Sequence, residues 1–449
     1  MKVRRRQFLR QLAGTSGAAL LSAGAGFPRQ DFGDSQPPAG LLPSPGSSGI
    51  KHIVVVMMEN RTFDHYLGWL PNADGQQSNS YPVPNDGSLP TYALYPDYQG
   101  CGHPNPDHSY LGSRVEYNNA AMDGWLLNTN NDEFSIGYYN ESDLPFKAAL
   151  ARNYTTLDHF HSAMLGPTFP NRLFYFSAQT DRLDDALLPF TGLKTIFDRL
   201  LAAGVSTRYY YSNVPFVALW GLKYFPITRT YLRFLFDAAL GLLPAVSFVD
   251  PRFSINDDDT GNDDEPHSNV LRGDAFLAAT FKAVAKSPVW NSTAFIVTYD
   301  EGGGFFDHVP PPRATAPNGV DPDIVDGKAL LGFRVPTIIA SPWTRGNPAS
   351  PRVVSDVFDH TSILKLIEWR WGLAPLTARD ASSDVGNLAT VLDFGNVNTA
   401  VPSLPSPPSP PSSACSLTTL QTTPQRGSRQ TPWAGWRESG LLEGWPVNR

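Results

Sequence analysis

The stretch "HIVVVMMENRT", residues 52–62, joins a run of apolar residues directly to a carboxylate, an amide and a guanidinium. The run from His52 to Met58 is almost continuously apolar and contains a β-branched core, as expected of a strand buried on both faces of a parallel sheet. Glu59, Asn60 and Arg61 follow without a turn. The sequence therefore predicts that they stand at the carboxyl end of that strand, where open α/β sheets bind their ligands.

Four more β-branched runs follow along the chain: "VSTRYYY" (205–211), "AVSFV" (245–249), "TAFIVTY" (293–299) and "VPTIIAS" (335–341). Helical patterns separate them, which predicts an α/β fold with a mostly parallel sheet sandwiched between helices. The apolar stretch from 231 to 249 carries charged residues and a proline, so it is predicted to be a helix followed by a strand and not a membrane span.

Composition predicts one large folded domain with a low-complexity segment on each side of it. The chain has 449 residues and 41% hydrophobic content, enough to bury a sizeable core. Residues 26–49 are rich in Pro, Gly and Ser and are predicted to form a flexible arm, and residues 396–449 form a Pro/Ser-rich tail of low complexity. The tail offers no apolar period for a core, so the folded domain is predicted to span residues 50–395.

The first residues carry the pattern of an export signal. Residues 1–25 have a basic head with a twin arginine, Arg5-Arg6, before a short Gly/Ala-rich apolar run. The alternative is an uncleaved anchor, but the run is shorter than the ~20 residues that a membrane-spanning helix needs. We expect export by the bacterial twin-arginine machinery to a periplasmic, cell-wall-associated or extracellular location.

Net charge and cysteine content exclude some partners. The formal net charge of −7 becomes −12 when the signal with its five basic residues is removed, and such a surface disfavours nucleic acid as a partner. Cys101 and Cys415 are far apart in sequence, and Cys415 lies in the tail. We therefore expect no disulfide framework and no cysteine metal site.

Oxygen-bearing side chains follow three of the predicted strands. Glu59 and Asn60 follow the first, Asp250 follows 245–249, and Asp300-Glu301 follow 293–299. Carboxylates and amides without thiols are typical of a site for Ca²⁺, Mg²⁺ or Mn²⁺. Each acid alone could equally cap the helix that follows it, but two adjacent pairs together favour the cation site.

Two loops contain further acidic residues. In "TYDEGGGFFDHVPPP" (298–312) three glycines allow a sharp turn and close approach to a ligand, with His308 soon after. In "NDDDTGNDDEP" (256–266) the spacing does not fit a calcium-binding EF-hand, so we interpret this segment as a solvated acidic loop.

A hydroxyl nucleophile is offered by "GPTFPNR" (166–172). Thr168 stands before Pro170 at a predicted helix start, where phosphate oxygens are stabilised. A simple helix cap is the alternative role for this threonine.

Three histidines lie in polar loops and suit phosphate contact or proton transfer: His108, His267 and His308. His159 and His161 lie beside apolar residues and are predicted to be core histidines, and the role of His360 stays open.

Taken in order, "HIVVVMMENRTFDHYLG", "NPDHSY", "GPTFPNR", "TYDEGGGFFDHVPPP" and "LGFRVPTIIASPW" resemble the phosphoesterase family of bacterial and plant phosphatidylcholine-type phospholipases C and related acid phosphatases. The resemblance covers roughly residues 50–370. It implies an alkaline-phosphatase-like α/β fold, a divalent cation and a covalent phosphoenzyme.

Carried onto this sequence, the resemblance implies a set of metal ligands: Glu59, Asn60, Thr168, Asp300 and Glu301. It implies Thr168 as the nucleophile and His108 as a phosphate contact. The family often has a histidine where this chain has Gly302, and His267 is the candidate to replace it. The identity of the cation stays open among Ca²⁺, Mg²⁺, Mn²⁺ and Zn²⁺.

These features predict a secreted, metal-dependent phosphoesterase of phospholipase C type that acts through a phosphothreonine. The expected substrate is a phospholipid or a small phosphate ester, with at most peripheral membrane contact. An acid phosphatase using the same residues is one alternative. An exported, metal-stabilised binding protein without catalytic activity is the other.

Overall fold

The quoted run forms a strand near the middle of the main sheet. The computed structural model describes residues 42–85, 87–255, 261–410, 415, 433, 435–436 and 439–447. The predicted export signal and most of the predicted arm lie outside the described residues. Of the predicted tail, residues 396–410 and the positions named above are described.

The strands, numbered in chain order, are β1 His52–Met58, β2 Ser80–Pro82, β3 Ser88–Pro90, β4 Tyr92–Ala93, β5 Gly137–Tyr138, β6 Thr155–Leu157, β7 Phe160–His161, β8 Thr207–Tyr211, β9 Thr228–Thr230, β10 Val246–Val249, β11 Thr293–Tyr299, β12 Arg313–Thr315, β13 Lys328–Leu330, β14 Thr337–Ala340, β15 Val353–Val354 and β16 Phe358–Asp359.

The α-helices are α1 Phe63–Leu67, α2 Tyr110–Tyr117, α3 Pro145–Asn153, α4 Thr168–Ser177, α5 Ile196–Ala202, α6 Tyr231–Ala239, α7 Val270–Ala285, α8 His360–Trp371 and α9 Ala378–Ala381. None of the helices in the described part of the chain is long and apolar enough to cross a membrane.

Eight strands form the main sheet in the order β15-β6-β14-β11-β1-β10-β8-β9. The strand β1 runs parallel to both of its neighbours, with Met58 opposite Tyr299 of β11 and Val56 opposite Val249 of β10. All its residues after His52 are buried, which explains the absence of an apolar/polar alternation. This register brings the carboxyl ends of β1, β10 and β11 to one edge of the sheet.

The predicted α/β fold with a mostly parallel sheet is confirmed. All five predicted strands are present, two with the predicted limits and three that are shorter by one to three residues. The exception to parallel order is β14, which is antiparallel to β11 and β6. Helices flank the sheet in two groups, since α7 packs against α3 and α6, whereas α8 packs against α4.

The expectation about the cysteines is wrong. Cys101 and Cys415 form a disulfide with a Cα–Cα distance of 5.4 Å. No local sequence pattern predicts this disulfide, because the two cysteines are 314 residues apart. Their pairing depends on where the chain beyond the Pro/Ser-rich segment returns to the domain.

The expectation that the tail makes no core is also wrong. Trp433, Trp436, Leu441 and Trp445 are at most 6% exposed and belong to the main apolar cluster. Sequence periodicity could not reveal this, because single aromatic residues spaced irregularly fill gaps in a core that the rest of the chain builds.

We therefore expect truncation after Asn396, made with Cys101→Ser, to destabilise the protein substantially. Losing four buried large side chains removes roughly 5 kcal/mol or more of apolar burial. Chemical denaturation of the truncated and full-length chains measures the difference. A Cys101→Ser/Cys415→Ser variant separates the part due to the disulfide, and equal midpoints for truncated and full-length protein would contradict the packing of the tail.

Candidate active site

Two pairs of polar side chains stand side by side at the carboxyl edge of the sheet. Glu59 and Asn60 follow β1, and Asp300 and Glu301 follow the parallel strand β11. The backbone N–H of Asn60 donates to Oδ1 of Asp300 at 3.1 Å, and all four side chains are buried. The prediction that these residues share one edge is confirmed.

Thr168 joins this edge from the first turn of α4. Its side chain is fully buried, and its hydroxyl donates to Oδ1 of Asn60 at 3.4 Å. The N-cap residue is Pro167, whose own side chain makes no capping hydrogen bond. The hydroxyl therefore faces the strand ends at the positive end of the α4 dipole, which stabilises negative charge on oxygen.

The N-terminus of α4 already binds a carboxylate. The backbone N–H of Phe169 donates to Oδ1 of Asp185 at 2.7 Å. Burial raises the pKa of Asp185 to about 7. Sequence reasoning missed this residue because it lies in a loop with no strand before it. The contact shows that the free N–H groups at this helix end bind a carboxyl oxygen.

Arg172, one turn after Thr168, neutralises the strand-end acids. Its guanidinium lies 3.0 Å from Oε1 of Glu59, 3.0 Å from Oδ2 of Asp300 and 3.3 Å from Oδ1 of Asp250. It is fully buried, and these acids raise its pKa. Arg172 belongs to the motif "GPTFPNR", but its role could not be predicted from that motif. The role arises because α4 packs against the ends of three strands.

Arg61 lies behind the site and is fully buried. Its Nε and Nη2 donate to the backbone carbonyl of Asp264 at 2.8 and 2.6 Å, and its guanidinium lies 4.4 Å from the centre of the Phe305 ring. Arg61 therefore holds the acidic segment in place.

The interpretation of that segment as a solvated loop is wrong for its described part. Asp263, Asp264 and Glu265 are fully buried, whereas residues 256–260 lie outside the described residues. Carboxylate oxygens of Asp263 and Glu265 come within 4.8 Å of each other and of Glu59, a group that could hold a metal ion. The many acidic residues of this segment led to the prediction of solvent exposure. The described ones are instead buried beside the strand ends.

Among the predicted histidines, His108 reaches the site. Its Nδ1 donates to the carbonyl of Pro106 at 2.8 Å, so in the neutral ring Nε2 carries the lone pair. Nε2 lies 3.5 Å from Nδ2 of Asn60 and 4.0 Å from Oε1 of Glu301. Burial lowers the pKa of His108, which favours this neutral form.

The other two candidates make their contacts elsewhere. His267 is hydrogen-bonded through Nε2 to the carbonyl of His103 at 2.9 Å, and burial lowers its pKa to about 4. His308 contacts Oδ2 of Asp64 at 2.5 Å and Oδ1 of Asp74 at 3.1 Å. Neither makes a hydrogen bond to Thr168 within the described residues.

The remaining histidines are structural by their contacts. His161 is buried and bonded to the carbonyl of Gly332, as predicted for a core histidine, whereas His159 is partly exposed and contacts Asp74. His360 begins α8 and contacts the carbonyl of Tyr299 at 2.8 Å.

The donor set fits a hard divalent cation. Burial raises the pKa of Glu59, Asp300 and Glu301, and repulsion from Asp300 raises the pKa of the two glutamates further. Oε1 of Glu301 is buried with no hydrogen-bond partner among the described residues. Carboxylate, amide and hydroxyl oxygens in such a place are ligands of Mg²⁺, Ca²⁺ or Mn²⁺, and the identity of the ion stays open.

Trp433 of the tail covers this site. Its indole N–H lies 2.8 Å from Oε2 and 3.1 Å from Oε1 of Glu59. The ring stacks on Phe253 with centroids 3.6 Å apart, and it lies 5.4 Å from the ring of Phe169, next to the candidate nucleophile. Thr168, which precedes Phe169, has no exposed surface.

Curated proteins similar to this chain are named as phospholipases C. The non-specific phospholipase C6 of Arabidopsis thaliana is 33% identical over 375 residues, covering 74% of this chain and 71% of the plant protein. Phospholipase C A of Mycobacterium tuberculosis is 32% identical over 474 residues, covering 89% of this chain and 87% of that protein.

Solved structures also match the chain, at lower similarity. A protein of the alkaline phosphatase superfamily from Vibrio parahaemolyticus has a TM-score of 0.35 and 13% identity, covering 76% of this chain and 71% of that chain. The phosphonate monoester hydrolase of Agrobacterium radiobacter has a TM-score of 0.36 and 12% identity, covering 77% of each chain.

The family model described as the phosphoesterase family matches residues 50–374. This span includes both strand-end pairs, Thr168 and His108. The chain belongs to the phosphoesterase family and is a hydrolase that acts on phosphate esters.

Proposed function

We propose that this protein is a metal-dependent phospholipase C whose nucleophile is Thr168. The observation that carries the proposal is the buried Thr168 hydroxyl, bonded to Asn60 at the N-terminus of α4 and beside two strand-end acid pairs. The names of the similar plant and mycobacterial proteins support a phospholipid as substrate.

Five residues would hold the cation: Glu59, Asn60, Thr168, Asp300 and Glu301. When bound, a divalent cation supplies positive charge that favours the ionised threonine and offsets charge on the phosphate oxygens. Arg172 keeps Glu59 and Asp300 in place by its ion pairs. Asp263 and Glu265 add acidic oxygens within 4.8 Å of a Glu59 carboxylate oxygen.

The reaction proceeds by displacement at phosphorus. Thr168 Oγ1 forms a bond to phosphorus, and the bond from phosphorus to the glycerol oxygen breaks. The proton of the Thr168 hydroxyl passes to the unprotonated Nε2 of His108, which lies near Asn60 and Glu301, and from there to the leaving glycerol oxygen. Water then attacks the phosphothreonine, which releases the phosphorylated head group and restores the Thr168 hydroxyl.

Export by the twin-arginine route is part of the proposal. It rests on the basic head and twin arginine of residues 1–25 and is consistent with the Cys101–Cys415 disulfide, since disulfides persist in oxidising compartments.

Substrate must reach a nucleophile that has no exposed surface. Trp433 occupies the side of Glu59 next to Phe169 and Phe253. We infer that Trp433 has to move before a phospholipid can contact Thr168.

The first prediction concerns the attacking oxygen. Thr168→Ser should retain much of the activity because the oxygen survives, whereas Thr168→Val keeps the shape, removes the oxygen and should abolish turnover. The assay uses p-nitrophenylphosphorylcholine, p-nitrophenyl phosphate and phosphatidylcholine vesicles. Acid trapping followed by peptide mass spectrometry should find the phosphoryl group on Thr168, and a different phosphorylated residue would refute the mechanism.

The same three substrates separate the competing functions. A phospholipase C cleaves the phosphocholine diester and the vesicles, and an acid phosphatase prefers the monoester p-nitrophenyl phosphate. A binding protein without catalytic activity turns over none of them, and that outcome would overturn the proposed function.

The second prediction concerns the cation. Glu59→Ala and Asp300→Ala should each lower metal content and reduce the rate by several orders of magnitude, because each removes a buried ligand. Elemental analysis of the purified variants measures the metal independently of activity. Asp198→Asn, which alters a surface carboxylate paired with Lys223, is the control. Unchanged metal content in both alanine variants would mean that the ligands are wrongly assigned.

The third prediction concerns access to Thr168. Trp433→Ala should raise kcat/KM for p-nitrophenylphosphorylcholine severalfold, because it uncovers Glu59 and the start of α4. Trp445→Ala removes a buried tryptophan of the same tail that packs on Phe225 instead, and it is the matched control. If Trp433→Ala stays folded and its kcat/KM is unchanged or lower, the ring does not limit access.

A further inference from the structure

The described part of the chain concentrates exposed apolar side chains in one segment. Six of its large exposed apolar residues lie between positions 222 and 242: Leu222, Phe225, Leu232, Phe236, Leu240 and Leu242. Single exposed apolar residues are normal, but a cluster of this kind marks an interaction surface.

Helix α6 and the turn after it carry four of them. Leu232 and Phe236 are one turn apart on the outer side of the helix, Leu240 is its C-cap one turn further on, and Leu242 follows in the turn. The inner side buries Phe234 and Ala238 against the domain. We call Leu232, Phe236, Leu240 and Leu242 the α6 face.

The charged side chains that residues 222–242 expose are all basic although the protein is acidic, and Asp198 of α5 pairs with Lys223. Lys223, Arg229 and Arg233 are exposed, and the only acid between residues 222 and 242 is Asp237. Asp237 is fully buried and paired with Arg208 and Arg233. No acidic side chain of this segment therefore reaches the solvent.

A basic cavity of about 330 Å³ adjoins the face. Arg229 and Arg233 line it together with Thr230, which ends β9, and Tyr211, which ends β8. These strand ends are at the same carboxyl edge of the sheet that carries Thr168's partners, because β8 and β9 continue the parallel order from β1 and β10. Two guanidinium groups beside hydroxyls are suited to a phosphate.

The tail connects this cavity to the candidate active site. Trp445 lines the cavity, and the Tyr211 hydroxyl donates to the carbonyl of Pro446 at 2.7 Å. Trp433 of the same tail contacts Glu59. Two tryptophans of one short tail segment therefore contact the arginine cavity and the strand-end acid Glu59.

We propose that the α6 face and the adjoining arginine cavity dock the protein on a phospholipid bilayer that contains anionic lipid. Leucine and phenylalanine side chains enter the interfacial region, and Arg229, Arg233 and Lys223 contact lipid phosphates. A helix of nine residues cannot span a bilayer, so the contact is peripheral. This inference rests on the proposed function in one respect, namely that phospholipid substrates are found in bilayers.

The test measures vesicle binding separately from catalysis. Full-length protein carrying Thr168→Val, which leaves lipids intact, is co-sedimented with vesicles of phosphatidylcholine and of an equimolar mixture with phosphatidylglycerol. Leu232→Ser/Phe236→Ser should lower the partition coefficient by at least about tenfold on both vesicles. Arg229→Gln should lower it by about fivefold on the anionic vesicles and little on the neutral ones.

Helix α2 provides a matched control. Leu111 and Val115 are also spaced by four residues and exposed, with Leu111 at 73% against 76% for Leu232. Leu111→Ser/Val115→Ser should leave binding unchanged, and melting curves confirm that each variant is folded. Equal losses in the two double variants, or no loss in either, would overturn the proposal.

Two further results are decisive. A wild-type dimer in light scattering that the α6 double variant converts to a monomer, with vesicle binding intact, would assign the face to a second copy of the chain and overturn the proposal. Vesicle binding that depends on the α6 face, in a protein whose wild type hydrolyses no phosphate ester, would support docking and refute only the proposed function.

Discussion

The structure depends on the burial of like charges at neighbouring strand ends. Glu59, Asp250 and Asp300 leave three adjacent strands at one edge, where burial raises the pKa of each carboxyl. The guanidinium of Arg172 pairs with all three carboxylates, at nitrogen–oxygen distances of 3.0 to 3.3 Å. Removing one member of such a buried network leaves an uncompensated charge, at a cost of about 3–5 kcal/mol. Because Arg172 fixes the first turns of α4 against the strands, it also fixes Thr168.

A neighbouring ion-pair network holds the loop that completes the edge. Arg334 pairs with Asp64 and Asp307 at 3.1 and 2.9 Å, and this network, which includes His308, anchors the loop after β11. Within that loop Gly303 has a positive φ of 65°, and a Cβ there would lie 2.2 Å from the carbonyl of Asn60. The glycine therefore allows the loop to pass directly over the Asn60 backbone.

The tail adds an aromatic layer that the domain alone does not supply. Trp433 stacks on Phe253, and Cζ of Arg172 lies 4.7 Å from the Phe253 ring and 5.5 Å from the indole ring. Trp445 packs on Phe225 beside the arginine cavity. The disulfide with Cys101 tethers the same tail further upstream. One short segment therefore links three features: the covered nucleophile, the basic cavity and the exposed side of α6.

Residue patterns alone predict the sheet, its parallel centre and the polar residues at its carboxyl edge, because buried strands have a local apolar signature and strand ends follow directly from it. They also place Thr168 at a helix start and His108 in a polar loop. Which of these groups meet depends on the packing of the whole chain. The site also contains four residues that were not predicted there: Arg172, Asp185, Asp263 and Glu265. His267 and His308 make their hydrogen bonds elsewhere, and the tail tryptophans pack in the core. Such contacts depend on packing between segments far apart in the chain, and local residue patterns carry no information about that packing.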